Sequence, residues 1–166
     1  MDADDWAGSE VCGACARVRG PLGAVDVRIV DLCPECVAGD LDLSPEAFSR
    51  IARLEDGRVP ISWRIVPCEA DGPITWRFKD GSNPWWVAVQ VRDHRQPVAR
   101  VQADLGEGWL DLERSQWNHF LAPDGLGDGP FRLRALDVHG GVLEDAGVPL
   151  LDDGEVEGPG QFPECG

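Results

Sequence analysis

The 166-residue chain has no tyrosine, a single methionine and a single lysine, Lys79. It also lacks any apolar run approaching the roughly 18 residues a membrane helix requires, so no membrane partner is expected. Basic residues are scarce: 15 Lys and Arg stand against 30 Asp and Glu, a formal net charge of -15. Tracking a phosphate backbone depends on Lys/Arg neutralisation, so nucleic acid is excluded as the main partner. The same surface would repel polyanions, which leaves an uncharged polymer as the easier ligand. No phosphate-binding loop, Ser/His/Asp nucleophile set or internal repeat stands out, and no cofactor is expected. The opening MDADDWAGSEVCG carries neither the basic start nor the apolar run of an export signal.

What is present reads mainly as β structure. From Ala16 to Val30 a short strand, a Gly20-Pro21-Leu22-Gly23 turn and an alternation of Val25, Val27 and Ile29 with Asp26 and Arg28 predict a hairpin with one buried face. Ser44 and Pro45 predict a helix start, with Ser44 as N-cap and Pro45 where its missing N–H costs nothing. Phe48, Ile51 and Ala52 form its inward stripe, and Ile61, Trp63 and Ile65 alternate in a further strand. Glu69-Ala70-Asp71-Gly72 is a polar, turn-rich stretch and marks the expected domain boundary, giving parts 1–69 and 70–160. Beyond it, short strands around Ile74–Phe78, Trp85–Val91, Val98–Gln102, Trp109–Leu112, Phe131–Val138 and Val142–Leu143 predict an antiparallel sandwich, with His139-Gly140-Gly141 turning its last hairpin. The Asp-, Glu-, Gly- and Pro-rich tail from Leu151 is expected to be extended or loosely attached.

Seven tryptophans are the least ordinary feature. Adjacent Trp85 and Trp86 would point to opposite faces of a regular strand, one in and one out. Pro84 ends any strand there, which also allows both rings to lie on one surface. Trp117, among the polar residues of Ser115-Gln116-Trp117-Asn118-His119, is placed to complete a row of three. Exposed indoles suit sugars because the axial C–H face of a pyranose stacks on an aromatic ring, while Lys79 and Asn118 are candidates to meet the hydroxyls. Asp31 and Asp42 flank a glycine-containing loop, either as an acid and base for glycoside cleavage or with Asp42 bracing the helix start. His94 is expected in a turn. The two C-x2-C pairs, Cys12/Cys15 and Cys33/Cys36, have the spacing of a zinc ribbon, and an even count of six thiols fits an oxidised framework equally well.

Taken together, these stretches resemble bacterial expansin-like proteins. The motifs are Cys12-Gly13-Ala14-Cys15, Val30-Asp31-Leu32-Cys33-Pro34-Glu35-Cys36, Gly39-Asp40-Leu41-Asp42-Leu43-Ser44, Ile61-Ser62-Trp63-Arg64, Arg77-Phe78-Lys79-Asp80-Gly81-Ser82, Trp85-Trp86 and Trp117-Asn118-His119-Phe120. The resemblance implies a six-stranded double-psi β-barrel related to family-45 glycoside hydrolases, packed against an immunoglobulin-like sandwich that is a family-63 carbohydrate-binding module. In that pattern Asp42 matches the hydrolase's acid and Asp31 lines the same groove, but the catalytic base is absent from expansins, which loosen wall polysaccharide without cutting it. The implied function is therefore non-enzymatic binding and disruption of cellulose, or of xyloglucan or peptidoglycan, by a secreted monomer. Trp85, Trp86 and Trp117 would form the platform and Lys79 a polar contact. The rivals are a hydrolase or lytic transglycosylase using Asp42 and Asp31, and an intracellular zinc module. Family barrels begin with strands upstream of the Ala7-Gly8-Ser9 region, so the barrel is expected to be partial and an export signal to lie upstream of Met1. The resemblance also implies disulfides: Cys15 with Cys68, and Cys33 with Cys36 or with a partner upstream, while Cys12 and Cys165 stay unassigned.

Overall fold

The computed structural model describes residues 1–164, so Cys165 lies outside the described residues. The first sheet has the order β2-β1-β3, built from β1 (Cys15–Gly20), β2 (Gly23–Arg28) and β3 (Ser62–Val66). β1 and β2 are the expected hairpin: Cys15 pairs with Arg28 and Gly20 with Gly23, so only Pro21 and Leu22 make the turn. Alternation then sorts the faces. Ala16 and Val18 are buried, while Arg17 and Asp26, directly opposite one another, form a bidentate ion pair on the wet side.

Between β2 and β3 the chain is mostly irregular. A one-turn helix α1 (Ala3–Trp6) precedes β1, and a second, α2 (Pro45–Phe48), follows the loop that carries the acidic motif. Ser44 caps α2 as expected, its Oγ accepting the Ala47 N–H at 3.3 Å. The helix ends after one turn, yet Ile51 and Ala52 just beyond it are fully buried against Val18. A disulfide joins Cys15 to Cys68, tying the start of β1 to the segment after β3. A second, Cys33–Cys36, staples the irregular loop. Three of the four thiols that a zinc ribbon would use are thus taken, and Cys12 remains a half-buried free thiol.

The rest of the chain folds as two sheets enclosing one core. One sheet has the order β12-β4-β5-β9-β8, with β4 (Thr75–Phe78), β5 (Val87–Arg92), β8 (Glu113–Arg114), β9 (Phe120–Ala122) and β12 (Glu155–Glu157). The other has the order β11-β10-β6-β7, with β6 (Val98–Asp104), β7 (Trp109–Asp111), β10 (Phe131–Asp137) and β11 (Val142–Val148). Ile74, Trp76, Phe78, Val89, Val101, Phe120 and Leu133 fill the space between them. Burying an indole requires a partner for its N–H, and Trp76 Nε1 finds Asp145 of the opposite sheet at 3.0 Å. The β10–β11 hairpin turns where expected: Asp137 Oδ1 accepts the N–H groups of His139 and Gly141, both at 2.8 Å.

The tail departs from the expectation of a loose segment. β12 pairs with β4, Glu155 forms ion pairs with Arg77 and Arg92, and Phe162 is completely buried in the core. Full burial of one such ring contributes about 1.5–3 kcal/mol, enough to anchor a polar segment that composition alone reads as detached.

Candidate functional site

β5 starts only at Val87, so Trp85 and Trp86 belong to a turn and not to a pleated strand. Pro84 cannot continue a ladder, and Asn83 builds the turn around it. Asn83 and Trp86 exchange backbone hydrogen bonds of 2.8 and 3.1 Å, while Asn83 Oδ1 accepts the Trp85 N–H at 2.9 Å. The buried Ser82 Oγ takes the Ala88 N–H at 3.3 Å and roots the turn in the sheet. The outcome is a Trp85 side chain that is 77% exposed beside a half-buried Trp86.

The turn also leans on the segment after β9. Gly127 donates its N–H to the Pro84 carbonyl at 3.0 Å, and a Cβ on Gly125 would lie 2.0 Å from that same carbonyl oxygen and 2.5 Å from Trp85 Cα. Gly125 also has φ +77, where a side chain costs about 1–2 kcal/mol by itself. Gly125→Ala is therefore expected to lower the melting temperature and displace the Trp85 turn. Gly127→Ala, at φ +83 but with nothing within 4 Å of its Cβ, should show only the smaller conformational cost. Thermal melts of the two variants compared with wild type test this; equal losses would mean that the backbone contact at Gly125 is not critical.

Trp117 lies further along β5. β9 runs antiparallel to β5, with Val87 opposite Ala122 and Val89 opposite Phe120, so the turn preceding β9 sits beside the far half of β5. Trp117 and Gln90 line one cavity there. Trp117 is 45% exposed, packs against His119 with the rings tilted by 43° and their centroids 4.6 Å apart, and has Lys79 Nζ 5.9 Å from its ring. Lys79 donates its backbone N–H to Ala88 at 3.0 Å, which places it between the tryptophan pair and Trp117. The neighbouring cations are engaged, Arg77 with Asp153 and Glu155 and Arg92 with Glu155, whereas Lys79 makes no ion pair among the described residues. Burial pushes the His119 imidazole down, its bond to the Trp117 carbonyl opposes this, and Arg92, Lys79 and Arg77 push it further down, so a neutral ring underlies the indole.

Asn118, expected beside the sugar hydroxyls, does not face outward. It is buried in the left-handed region at φ 54, and its Oδ1 accepts from Arg114 at 2.8 Å. Asparagine's tolerance of positive φ was the available signal that this position is a turn element.

Asp31 and Asp42 are brought together in one open cavity of about 390 Å³, and both are exposed. Asp31 Oδ1 accepts the Leu32 N–H at 2.8 Å. Asp42 is not the helix cap, because Ser44 fills that role. The loop holding both acids is fixed from several sides: Cys33 N–H to the Met1 carbonyl at 2.7 Å, Gly39 N–H to Asp2 and Asp5, Trp63 Nε1 to the Gly39 carbonyl at 2.9 Å, and Arg58 paired with Asp40. Asp31 also lines the second cavity, about 560 Å³, which contains Trp117 and Gln90 on one side and Trp6, Cys12 and Val30 on the other. The acidic groove and the cavity beside the third indole are therefore neighbours that share Val30, Asp31 and Leu32 as a common wall.

His94 lies between bends, as expected of a turn, but is buried. It is 2% exposed, with Nδ1 2.8 Å from the Gln96 carbonyl, and a Cβ on Gly13 would come within 2.5 Å of its Nε2. Cys12 lies in the same junction. Burial pushes its thiol up, and the Asn118 side chain and Arg114 partly offset this.

Comparison with known proteins follows this geometry closely. A double-psi β-barrel family model described as lytic transglycolase matches residues 6–63. Expansin-YoaJ of Bacillus subtilis is 38% identical over 159 residues, covering 93% of this chain and 68% of that protein. Expansin-like protein 2 of Dictyostelium discoideum is 29% identical, covering 93% of this chain but only 40% of its own length. A crystal structure of a point mutant of Clavibacter michiganensis expansin in complex with cellohexaose superposes with a TM-score of 0.93 at 29% identity, covering all of this chain and 82% of that one. The apo form of the Clavibacter protein gives the same TM-score at 30% identity.

Proposed function

Because the chain belongs to the expansin family, whose double-psi barrel and sandwich architecture it shares, we propose that it binds cell-wall polysaccharide without cutting it and loosens contacts between chains. The observation that carries this is the row along β5: Trp85 and Trp86 at its start, Lys79, which makes no ion pair among the described residues, beside it, and Trp117 at its far half. Indole faces offer flat apolar contact to pyranose rings, and the ammonium is free to donate to a hydroxyl. An uncharged glucan meets no repulsion from a surface of net charge -15. Cellulose is the ligand we favour, as a fragment of that polymer is what the Clavibacter protein holds; xyloglucan and peptidoglycan are the comparison polymers.

In this reading parts 1–69 and 70–160 work as two domains. The second docks through its indoles, and Asp31 and Asp42 in the groove of the first hydrogen-bond a neighbouring chain. The two disulfides support action outside the cell, where such bonds persist.

A lytic reading has one specific observation behind it, the two carboxyls in one cavity within the matched barrel segment. One assay separates the two. The protein is expected to adsorb to microcrystalline cellulose, to release no reducing ends, and to adsorb as well or nearly as well as Asp42→Asn. New reducing ends from hydrolysis, or anhydro-sugar ends from intramolecular transglycosylation, that disappear in Asp42→Asn would establish cleavage instead.

A further inference from the structure

Arg114 is a half-buried cation that makes no ion pair among the described residues. It lies on β8 at the edge of the five-stranded sheet, and no carboxylate comes within ion-pair distance among the described residues. Burial holds its pKa below the usual arginine value, with Glu10 and Cys12 opposing this only at a distance. An arginine partly withdrawn from water carries a desolvation cost, which hydrogen bonds to neutral acceptors offset. Both terminal nitrogens of Arg114 donate to such acceptors. One terminal nitrogen donates to the Ser9 carbonyl at 3.2 Å and to Asn118 Oδ1 at 2.8 Å, the other to the Val98 carbonyl, and the guanidinium lies 4.5 Å over the Phe120 ring.

These partners belong to different parts of the molecule. Ser9 precedes the first sheet, is fully buried at φ 82, and sends its own Oγ back to the Ser115 carbonyl at 2.8 Å. Ser115 and Asn118 frame the turn that carries Trp117: Asn118 N–H donates to the Ser115 carbonyl at 3.1 Å and His119 N–H to Ser115 Oγ at 3.1 Å. The turn is therefore clamped to the Ser9 segment at both of its ends, once through Arg114 and Asn118 and once through Ser9 and Ser115. Across that clamp lies the depression whose two sides are Trp117 and Asp31.

We propose that Arg114 is a positioning residue: by locking the Trp117 turn to the Ser9 segment it holds the indole in register with the Asp31 groove, so that the chain stacked on the indoles and its neighbour in the groove are engaged together. The inference rests on the polysaccharide-binding reading above. Lysine at this site keeps the charge but loses the fork that reaches three acceptors at once.

The test uses the full chain and Arg114→Lys. Adsorption isotherms on microcrystalline cellulose should show affinity falling roughly tenfold, the loss expected when charge-assisted hydrogen bonds are removed. Combined with Trp117→Ala, the lysine variant should cause no further loss; combined with Trp85→Ala, it should cause its full loss. A general destabilisation would weaken all three backgrounds alike and so overturn the proposal. Hydrogen exchange supplies a readout that needs no ligand: the Asn118 and His119 amides should exchange faster in Arg114→Lys, with β10 and β11 amides unchanged. Unchanged exchange at Asn118 and His119 rules out the clamp whether or not cellulose binds, whereas faster exchange in a protein that ignores cellulose keeps the clamp and removes only the ligand. Ser9→Ala, which breaks the other tie, is expected to show the same pattern in milder form and substitutes for Arg114→Lys if that variant does not fold.

Discussion

The double variant Trp85→Ala with Trp86→Ala is expected to lose nearly all adsorption to cellulose while remaining folded. Stacking of a flat ring on an aromatic side chain contributes about 1–3 kcal/mol per ring by analogy with nucleobases, so two rings account for roughly 2–6 kcal/mol, a loss of at least about 30-fold. The fold should tolerate the change, because Trp85 is mostly exposed, Trp86 only half-buried, and the turn is held by Asn83 and Ser82 and not by the indoles. A pull-down on microcrystalline cellulose is the measurement, with circular dichroism to show that the variant is native. If the folded double variant sediments with cellulose as wild type does, the indole row is not the docking surface. Trp76→Phe makes a useful contrast in principle, since Trp76 is fully buried and bonded to Asp145 and its change would act on stability alone.

How much of this could be read from residues alone depends on the length over which a signal repeats. The β1–β2 hairpin, the Ser44 cap and the strands at β4, β6 and β10 were legible because alternation or capping chemistry acts within a few residues. The Trp85 turn was legible for a local reason too, as Pro84 cannot sit inside a central strand. β8, β9 and β12 were not, being two or three residues long and defined only by distant partners. The tail shows this most clearly: its acidic, glycine-rich composition reads as detached, yet Glu155 meets Arg77 and Arg92 and Phe162 fills the core. Asn118 was expected to face the ligand and His94 to lie in a turn, whereas both are buried in surroundings that only the fold creates: Asn118 Oδ1 accepts from Arg114, and the His94 ring packs closely against Gly13. The indoles and carboxylates of the candidate site were therefore visible in the sequence, while the junction beside them was not.

That junction gives the protein a pH dependence that can be worked out from His94. Burial lowers its pKa from 6.5 to about 4, partly opposed by the Gln96 carbonyl, with Arg28 and Arg114 pushing further down and Asp93 opposing. The neutral ring is thus favoured in the folded state. Between pH 6.5 and 4 the unfolded chain binds a proton that the native chain refuses, so stability rises with pH across this window and is lost as pH falls through it. The contribution is fully present above pH 6.5 and about 3 kcal/mol is lost by the time the folded pKa is passed. Over the narrower range from pH 7.5 to 5, above the titration of most carboxylates, about 2 kcal/mol should go. Urea denaturation at these two pH values measures it, with His94→Gln as the control, since an amide can still donate to the Gln96 carbonyl but does not titrate. The variant should lose about 2 kcal/mol less than wild type between the two conditions, whatever its absolute stability. Parallel losses would show that His94 is not the titrating group. The site gives the effect its direction: Nε2 faces Gly13 so closely that a methyl group there would not fit, and the charges of Arg28 and Arg114 oppose a proton on the buried ring. Acid is then expected to open the contact between the two halves before it unfolds either core, and Gly13 amide exchange should accelerate ahead of the amides of β5 and β10.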